Sequence, residues 1–218
     1  MPKIVDHDER RNHIAEAATQ VILREGFDHA TMREVAAAAG YAHGAISRYF
    51  PDKHSLLVAA FLRVHAQSHE QILASVKGTR GLTALCFMCR EILPFGNRTA
   101  HASLVVAFWG HASEDQEVRA LHRRNNMMWR DMFRRFLLEA REDGELAPHV
   151  DIDTAVNMIA SHNAGWQMIG SLLSDLADDL HLEASLTALI DQFRAKNDTR
   201  DSRTHDIVDH EPGTLLTN

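Results

Sequence analysis

Two cysteines one helical turn apart, Cys86-x-x-Cys89, fifteen histidines and the acidic pairs Glu142-Asp143 and Asp178-Asp179 are the side chains whose types and spacing can do chemistry. Thiols at that spacing share one face of a helix and make half of a tetrahedral zinc site. With Phe87-Met88 between them and no second cysteine pair, the spacing points instead to buried, inert thiols. The acidic pairs fall where helices are expected to end, so they read as solvated caps. No G-x-S-x-G elbow, phosphate-cradling glycine loop, H-E-x-x-H run or dinucleotide fingerprint occurs. What survives is recognition chemistry. His43 and Arg48 stand five residues apart in a short polar-faced helix. There an arginine can bind guanine O6 and N7 in a fork, and a histidine can give or take one hydrogen bond.

The elements that must position these groups follow from composition and periodicity. The chain has 218 residues, 45% hydrophobic and 24% charged, enough for one ordinary domain or two small ones. Its longest apolar run, Leu56 to Leu62, is far short of the ~20 residues of a membrane span. The charged N-terminus lacks an apolar segment of the secretory kind, so a cytoplasmic location is expected, with reduced cysteines and no disulfide framework. Net charge is −7, unevenly spread: residues 1–65 carry 8 basic and 8 acidic side chains, the remainder 15 and 22. An acidic body repels nucleic acid and anionic lipid, so contact with DNA belongs to the N-terminal part and no membrane partner is expected.

Apolar residues recur at helical spacing almost throughout, and no window alternates with period two. The fold class is therefore all-α, with about nine helices. Helices are predicted at Asp8–Glu25, Met32–Ala39, His43–Tyr49 and Lys53 to about Val76. Further ones are predicted at Leu82–Leu93, Thr99–His111, Glu114–Glu142 (capped by Ser113), Asp153–Leu176 and Glu183–Lys196. Thr31-x-x-Glu34 has capping-box spacing, and two short helices joined at Gly40 make a helix-turn-helix. Residues 1–52 form the first domain and 53–197 the second, with 53–76 a connecting helix. The polar stretch 198–218 lacks a helical stripe and is expected to be disordered.

Gly26-Phe27, Thr31, Val35-Ala36, Ala39-Gly40, Gly44, Ile46, Tyr49-Phe50, Lys53 and Leu56-Leu57 stand at the spacing of one family. On them the first quarter of the chain resembles the TetR-type one-component transcriptional regulators. The resemblance implies an all-α homodimer that represses genes by binding a palindromic operator, and that releases DNA when a small molecule enters the C-terminal domain. Neither enzymatic activity nor a cofactor or metal is expected. Carried over by position, His43 and Arg48 read bases, Gly44 lets the backbone approach, Arg33 touches a base, and Thr31, Ser47, Tyr49 and Lys53 grip phosphates. Tyr41, Ala42 and Ser47 depart from the family's pattern. Ala42 in particular leaves the recognition helix without a capping side chain, a loss of about 1 kcal/mol.

All three tryptophans lie beyond residue 100. Phe108-Trp109, Glu114-Asp115, Leu121, Trp129, Gly144-Glu145-Leu146 and Asp151 are weakly similar to the C-terminal domain of the betaine-operon repressors. Ala164 stands where those proteins often carry an acidic residue, which argues against a choline-like cation, although aromatic rings can hold one. The expected effector is partly apolar or aromatic, held by Phe87, Phe108, Trp109, Trp129, Met132, Phe133 and Trp166, with Asn125 as a polar hook. In this family the last two helices of each subunit form a four-helix bundle. By that resemblance Ile159, His162, Asn163, Leu173, Leu189 and Phe193 belong to the dimer interface. Asn125, His162, Asn163 and Trp166 suit either pocket or interface. Two other readings compete: a helical enzyme or metal-binding protein using His101, His111, His122 and the cysteines, and a helical interaction module without DNA binding.

Overall fold

The computed structural model describes residues 7–96 and 98–195. The disordered tail expected at 198–218 and the last predicted helical residue, Lys196, lie outside the described residues. Nine α-helices run in chain order among those described: α1 (His7–Glu25), α2 (Met32–Ala39), α3 (His43–Ile46), α4 (Lys53–Ser75) and α5 (Gly81–Ile92), then α6 (Thr99–Glu114), α7 (Gln116–Glu142), α8 (Ile152–Leu172) and α9 (Asp179–Phe193). A short 3₁₀ turn, Ser174–Leu176, lies between the last two. The chain is all-α, as its periodicity requires, and none of these helices is long and apolar enough to cross a membrane.

Local chemistry sets the helix ends. Thr31 and Glu34 close the expected capping box: the Glu34 N–H donates to Thr31 Oγ1 at 3.2 Å and the Thr31 N–H to Glu34 Oε2 at 2.8 Å. Gly40 ends α2 at φ +70°, a left-handed turn that suits glycine. Asp52 and Ser55 build a second box at the start of α4. The recognition helix α3 is shorter than predicted. It has no side-chain cap at Ala42, and beyond Ile46 residues 47–49 form a turn in which the Tyr49 and Phe50 amides both donate to the Ile46 carbonyl. Pro51 disfavours helix at Phe50 and so bars any continuation of the helix past this turn.

Three helix starts differ from expectation because a carboxylate caps better placed amides. Asp115, not Ser113, caps α7, accepting from the Glu117 and Val118 N–H groups at 2.7 and 3.0 Å. The Ser113 hydroxyl turns back to the Gly110 carbonyl. Asp178 caps α9 four residues earlier than predicted, and the 3₁₀ turn closes off α8 at Leu172. At α5 the cap comes from outside the helix. Gly81 N–H donates to Glu139 and Leu82 N–H to Glu145, and a Cβ on Gly81 would lie 2.5 Å from Glu145 Oε2. Of the acidic pairs, Asp178 is a cap, whereas Glu142 and Asp143 both pair with Arg80.

Buried side chains fall into three groups. Ile14, Val21, Val35, Ile46 and Phe50 make the core of a small N-terminal head, joined by Leu56, Leu57 and Val64 of α4 and by Leu104 of α6. A larger core in the body gathers α5, α7, α8 and α9 around Leu85, Met88, Phe136, Ile159 and Leu186. Between them Phe61, Phe108, Ala112 and Val118 form a third group, in which the Phe61 and Phe108 rings stack at 3.6 Å. Helices α4 and α6 thus belong to both halves of the molecule. Cys89 is fully buried, and burial pushes its thiol up to about 12, an inert group; Cys86 is half-buried.

Candidate nucleic-acid interface and effector cavity

The head presents α3 with its polar side chains outward. His43, Gly44, Ser47 and Arg48 are exposed, and the open space around Gly44 leaves its backbone accessible. Arg33, on α2, is also exposed. Two contacts brace this face from behind. Arg11 of α1 donates to the Tyr49 carbonyl at 2.7 Å and lies over the Phe50 ring, while the Tyr49 hydroxyl is 3.1 Å from His7 Nδ1. Tyr41 is flanked by His13 and Arg10. Lys53 crosses to the loop after α1, donating to the Asp28 carbonyl at 2.8 Å with its ammonium 4.6 Å from the Phe27 ring centroid. The bracing by Arg11, Arg10 and His13 was not legible from local spacing, because it joins residues about 30 positions apart.

In the body a cavity of about 670 Å³ opens between α4, α6, α7 and α8, with the Pro94–Gly96 turn at its edge. That volume suits a small-molecule ligand. Of the residues expected to hold an effector, Trp109, Asn125, Trp129 and Phe133 line it. Four others do not. Phe87 points outward and is 39% exposed, since the α5 stripe of Leu85, Met88, Cys89 and Ile92 puts position 87 on the opposite side. Phe108 lies wholly buried behind the wall, stacked on Phe61. Met132 sits on a different depression of α7 beside Met128 and Arg135. Trp166 gives its indole N–H to His162 Nε2 at 3.2 Å, away from the cavity.

The residues assigned to the interface also divide. Ile159, Leu189 and Phe193 are buried within the protomer's own core, and Asn163 is buried on the cavity wall, so none of them presents a face to a partner. His162 spans α8 and α9, 3.1 Å from Ser185 Oγ. Because its Nε2 accepts from Trp166, its ring proton sits on Nδ1, beside Asn163 Oδ1. Leu173 is exposed, and it has company: Leu172, Leu176 and Leu180 are 66%, 52% and 77% exposed on the same stretch of chain.

Histidines that sequence reasoning passed over, or set aside as metal ligands, concentrate at the cavity. His65, His101 and His122 line it, whereas His111 instead meets His54, with Nδ1 atoms 2.9 Å apart, and the edge of Phe27. Burial holds His122 and His101 below the ordinary imidazole range. His65 falls to about 4, through burial first and then the neighbouring His69 and His122. All three are therefore neutral at pH 7. The His65-x-x-x-His69 spacing on α4 was the available signal. Among the described residues no three His, Cys, Asp or Glu side chains gather closely enough to hold a metal ion.

Comparison with known proteins agrees with this anatomy. The sequence profile of bacterial regulatory proteins of the tetR family matches residues 14–60, and that of the BetI-type transcriptional repressor C-terminal domain matches residues 82–195. The regulator UidR of Escherichia coli is 25% identical over 182 residues, 80% of this chain and 86% of that protein. PksA of Bacillus subtilis is 40% identical over 72 residues, covering 33% of this chain and 35% of its own. A regulator from Saccharomonospora viridis, solved in complex with choline, shares the fold at a TM-score of 0.78 and 18% identity, over 87% of this chain and all of that one. A TetR regulator from Haloarcula marismortui superposes at 0.74 and 17% identity, over 86% of this chain and 100% of its own. An exposed helix-turn-helix head on a helical body with its own cavity, matched by profiles over both parts, makes this chain a transcriptional regulator of the TetR family, with a C-terminal domain of the BetI type.

Proposed function

We propose that this regulator is a repressor that binds a palindromic operator as a homodimer and is released when a small molecule fills the cavity of the body. The observation that carries the proposal is the double membership of α4 and α6. One side of α6 lines the cavity through Val105 and Trp109, while its Leu104 enters the head core and its His111 meets His54 and Phe27. Filling the cavity displaces α6 or α4, and either carries the head with it. An effector favouring a head spacing that does not fit DNA weakens operator binding by no more than its own differential affinity.

On the DNA, His43 and Arg48 read base edges, Gly44 allows close approach, and Arg33 touches a base. Thr31, Ser47, Tyr49 and Lys53 hold phosphates. The dimer face is the apolar surface of Met168, Leu172, Leu173, Leu176 and Leu180, large apolar side chains left exposed at the end of α8 and the start of α9. A cytoplasmic location follows from work on chromosomal DNA. The test is enrichment from a pool of random duplexes by the purified protein, followed by sequencing. The expected product is a palindrome with half-sites about 34–36 Å apart, one turn of B-DNA. A stable monomer at micromolar concentration, or enrichment of single half-sites alone, refutes the proposal.

A further inference from the structure

One wall of the cavity holds polar atoms that nothing among the described residues satisfies. Trp129 Nε1, Asn125 Nδ2, His122 Nδ1 and His65 Nε2 are all buried without a hydrogen-bond partner among the described residues. His122, Asn125 and Trp129 follow one another at helical spacing on α7. His65 faces them from α4, its ring stacked 4.5 Å from that of Trp129. Native proteins leave few such atoms, and four on the wall of one cavity mark a place where a ligand supplies the partners.

The chemistry of these atoms selects the ligand. An indole N–H can only donate, and the Asn125 amide nitrogen likewise; each neutral imidazole donates through whichever nitrogen carries its one proton. Trp129 Nε1 and Asn125 Nδ2 therefore call for an acceptor, and His65 joins them as a donor in its Nε2–H tautomer. The two acidic residues of the cavity wall are engaged elsewhere: Glu91 lies 3.7 Å from Arg98, and Asp179 accepts from the Gly96 N–H. No carboxylate stands among the four atoms to neutralise a cation. A carboxylate ligand offers about four lone-pair positions, enough for Trp129, Asn125 and His65 together. Beside them Phe61, Trp109 and Phe133 provide an apolar chamber for the rest of the molecule.

We infer that the cavity takes a carboxylate carried on an apolar or aromatic body, its oxygens accepting from Trp129 Nε1, Asn125 Nδ2 and His65 Nε2. The four atoms are closed to water in the free protein, so binding includes a small rotation of their side chains. None has a hydrogen bond to break in doing so. The inference rests on the reading of this cavity as the effector site, and it departs from the choline held by the Saccharomonospora viridis regulator.

Full-length protein is titrated calorimetrically, and its melting followed, with 3-phenylpropanoate, the corresponding amide, 3-phenylpropyltrimethylammonium and choline. The carboxylate is expected to bind at least about tenfold tighter than the amide or either cation. Trp129→Phe, which keeps the ring and removes the N–H, should weaken it about tenfold, the worth of roughly one charge-assisted hydrogen bond. The same change should weaken the aromatic cation by clearly less than the carboxylate, because it keeps an aromatic face and removes only the N–H donor. Asn125→Leu gives the same comparison if Trp129→Phe fails to fold. Tighter binding of a cation, equal binding of amide and carboxylate, or indifference of the carboxylate to both substitutions overturns the inference. So does failure of every carboxylate from acetate to 5-phenylpentanoate to raise the melting temperature. Carboxylate binding that leaves operator affinity unchanged upholds the chemistry and refutes only the effector role.

Discussion

Lys53 does two jobs on this account, and replacing it separates them. In the free protein its ammonium donates to the Asp28 carbonyl at 2.8 Å and lies 4.6 Å from the Phe27 ring centroid, clasping the start of α4 to the end of α1. A hydrogen bond of this kind contributes about 1 kcal/mol, and an exposed cation–π contact about 0.5–1. Lys53→Met, which keeps most of the apolar stem, should therefore lower stability by about 1.5–2 kcal/mol. For a chain of this length that is a melting temperature roughly 3–8 °C lower. An ammonium has three donors, so the clasp leaves two for a phosphate. Losing that contact should flatten the slope of log affinity against log salt by about 0.9 per subunit, equally on operator and random DNA. Urea titration reads the first effect and fluorescence anisotropy at several salt concentrations the second. An unchanged salt slope with the stability loss present makes Lys53 a clasp only. Unchanged stability refutes the reasoning about Asp28 and Phe27.

Other substitutions probe other parts. Arg48→Ala should cost about 1–3 kcal/mol on the selected operator and little on random DNA, and equal losses on both remove it from base reading. Gly81→Ala forces a side chain into φ +59° with its Cβ 2.5 Å from Glu145 Oε2, so a loss of at least about 1 kcal/mol in denaturant titration is expected, and no loss contradicts the cap described for α5. Stability should fall as pH drops from about 6.5 towards 4, because the unfolded chain protonates a His65 that the folded protein keeps neutral, and His65→Phe should flatten that part of the curve. Asp115, Asp151 and Asp178 are held below the ordinary carboxylate range, chiefly by hydrogen bonds from N–H or hydroxyl groups of their own first turns. Their contribution is present above pH about 4 and is lost as pH falls through their lower folded values; Asp178→Asn should reduce that loss in acid titrations.

The head was largely legible in the sequence, and the reason is that its signals are local. Thr31 and Glu34 satisfy each other three residues apart, Gly40 needs only its own backbone, and the Val35, Ile46 and Phe50 pattern buries itself within one small cluster. Helix ends were missed where several caps competed within a few residues, as Asp115 against Ser113, because spacing alone does not rank them. The cavity was half legible. Its aromatic residues on α6 and α7 announced themselves, but a stripe says which residues face inward, not which void they face. Phe108 and Trp109 are neighbours in sequence, yet one is sealed behind the wall and the other lines the cavity. His65 was passed over because α4 reads as a connector, and only packing against Trp129 gives it a place in the site.

The central claim is that the contents of the cavity govern the head through α4 and α6, and it can be tested without knowing the effector. Ala164 lines the cavity from α8, so Ala164→Phe places an aromatic ring where a ligand's body would lie. The decisive measurement is the Kd of this variant for the selected operator, taken alongside its melting temperature. The account predicts a folded protein, melting no lower than the parent, whose operator affinity is reduced at least tenfold, about 1.4 kcal/mol. An operator affinity equal to that of the parent, in a variant that has kept its fold, would contradict it.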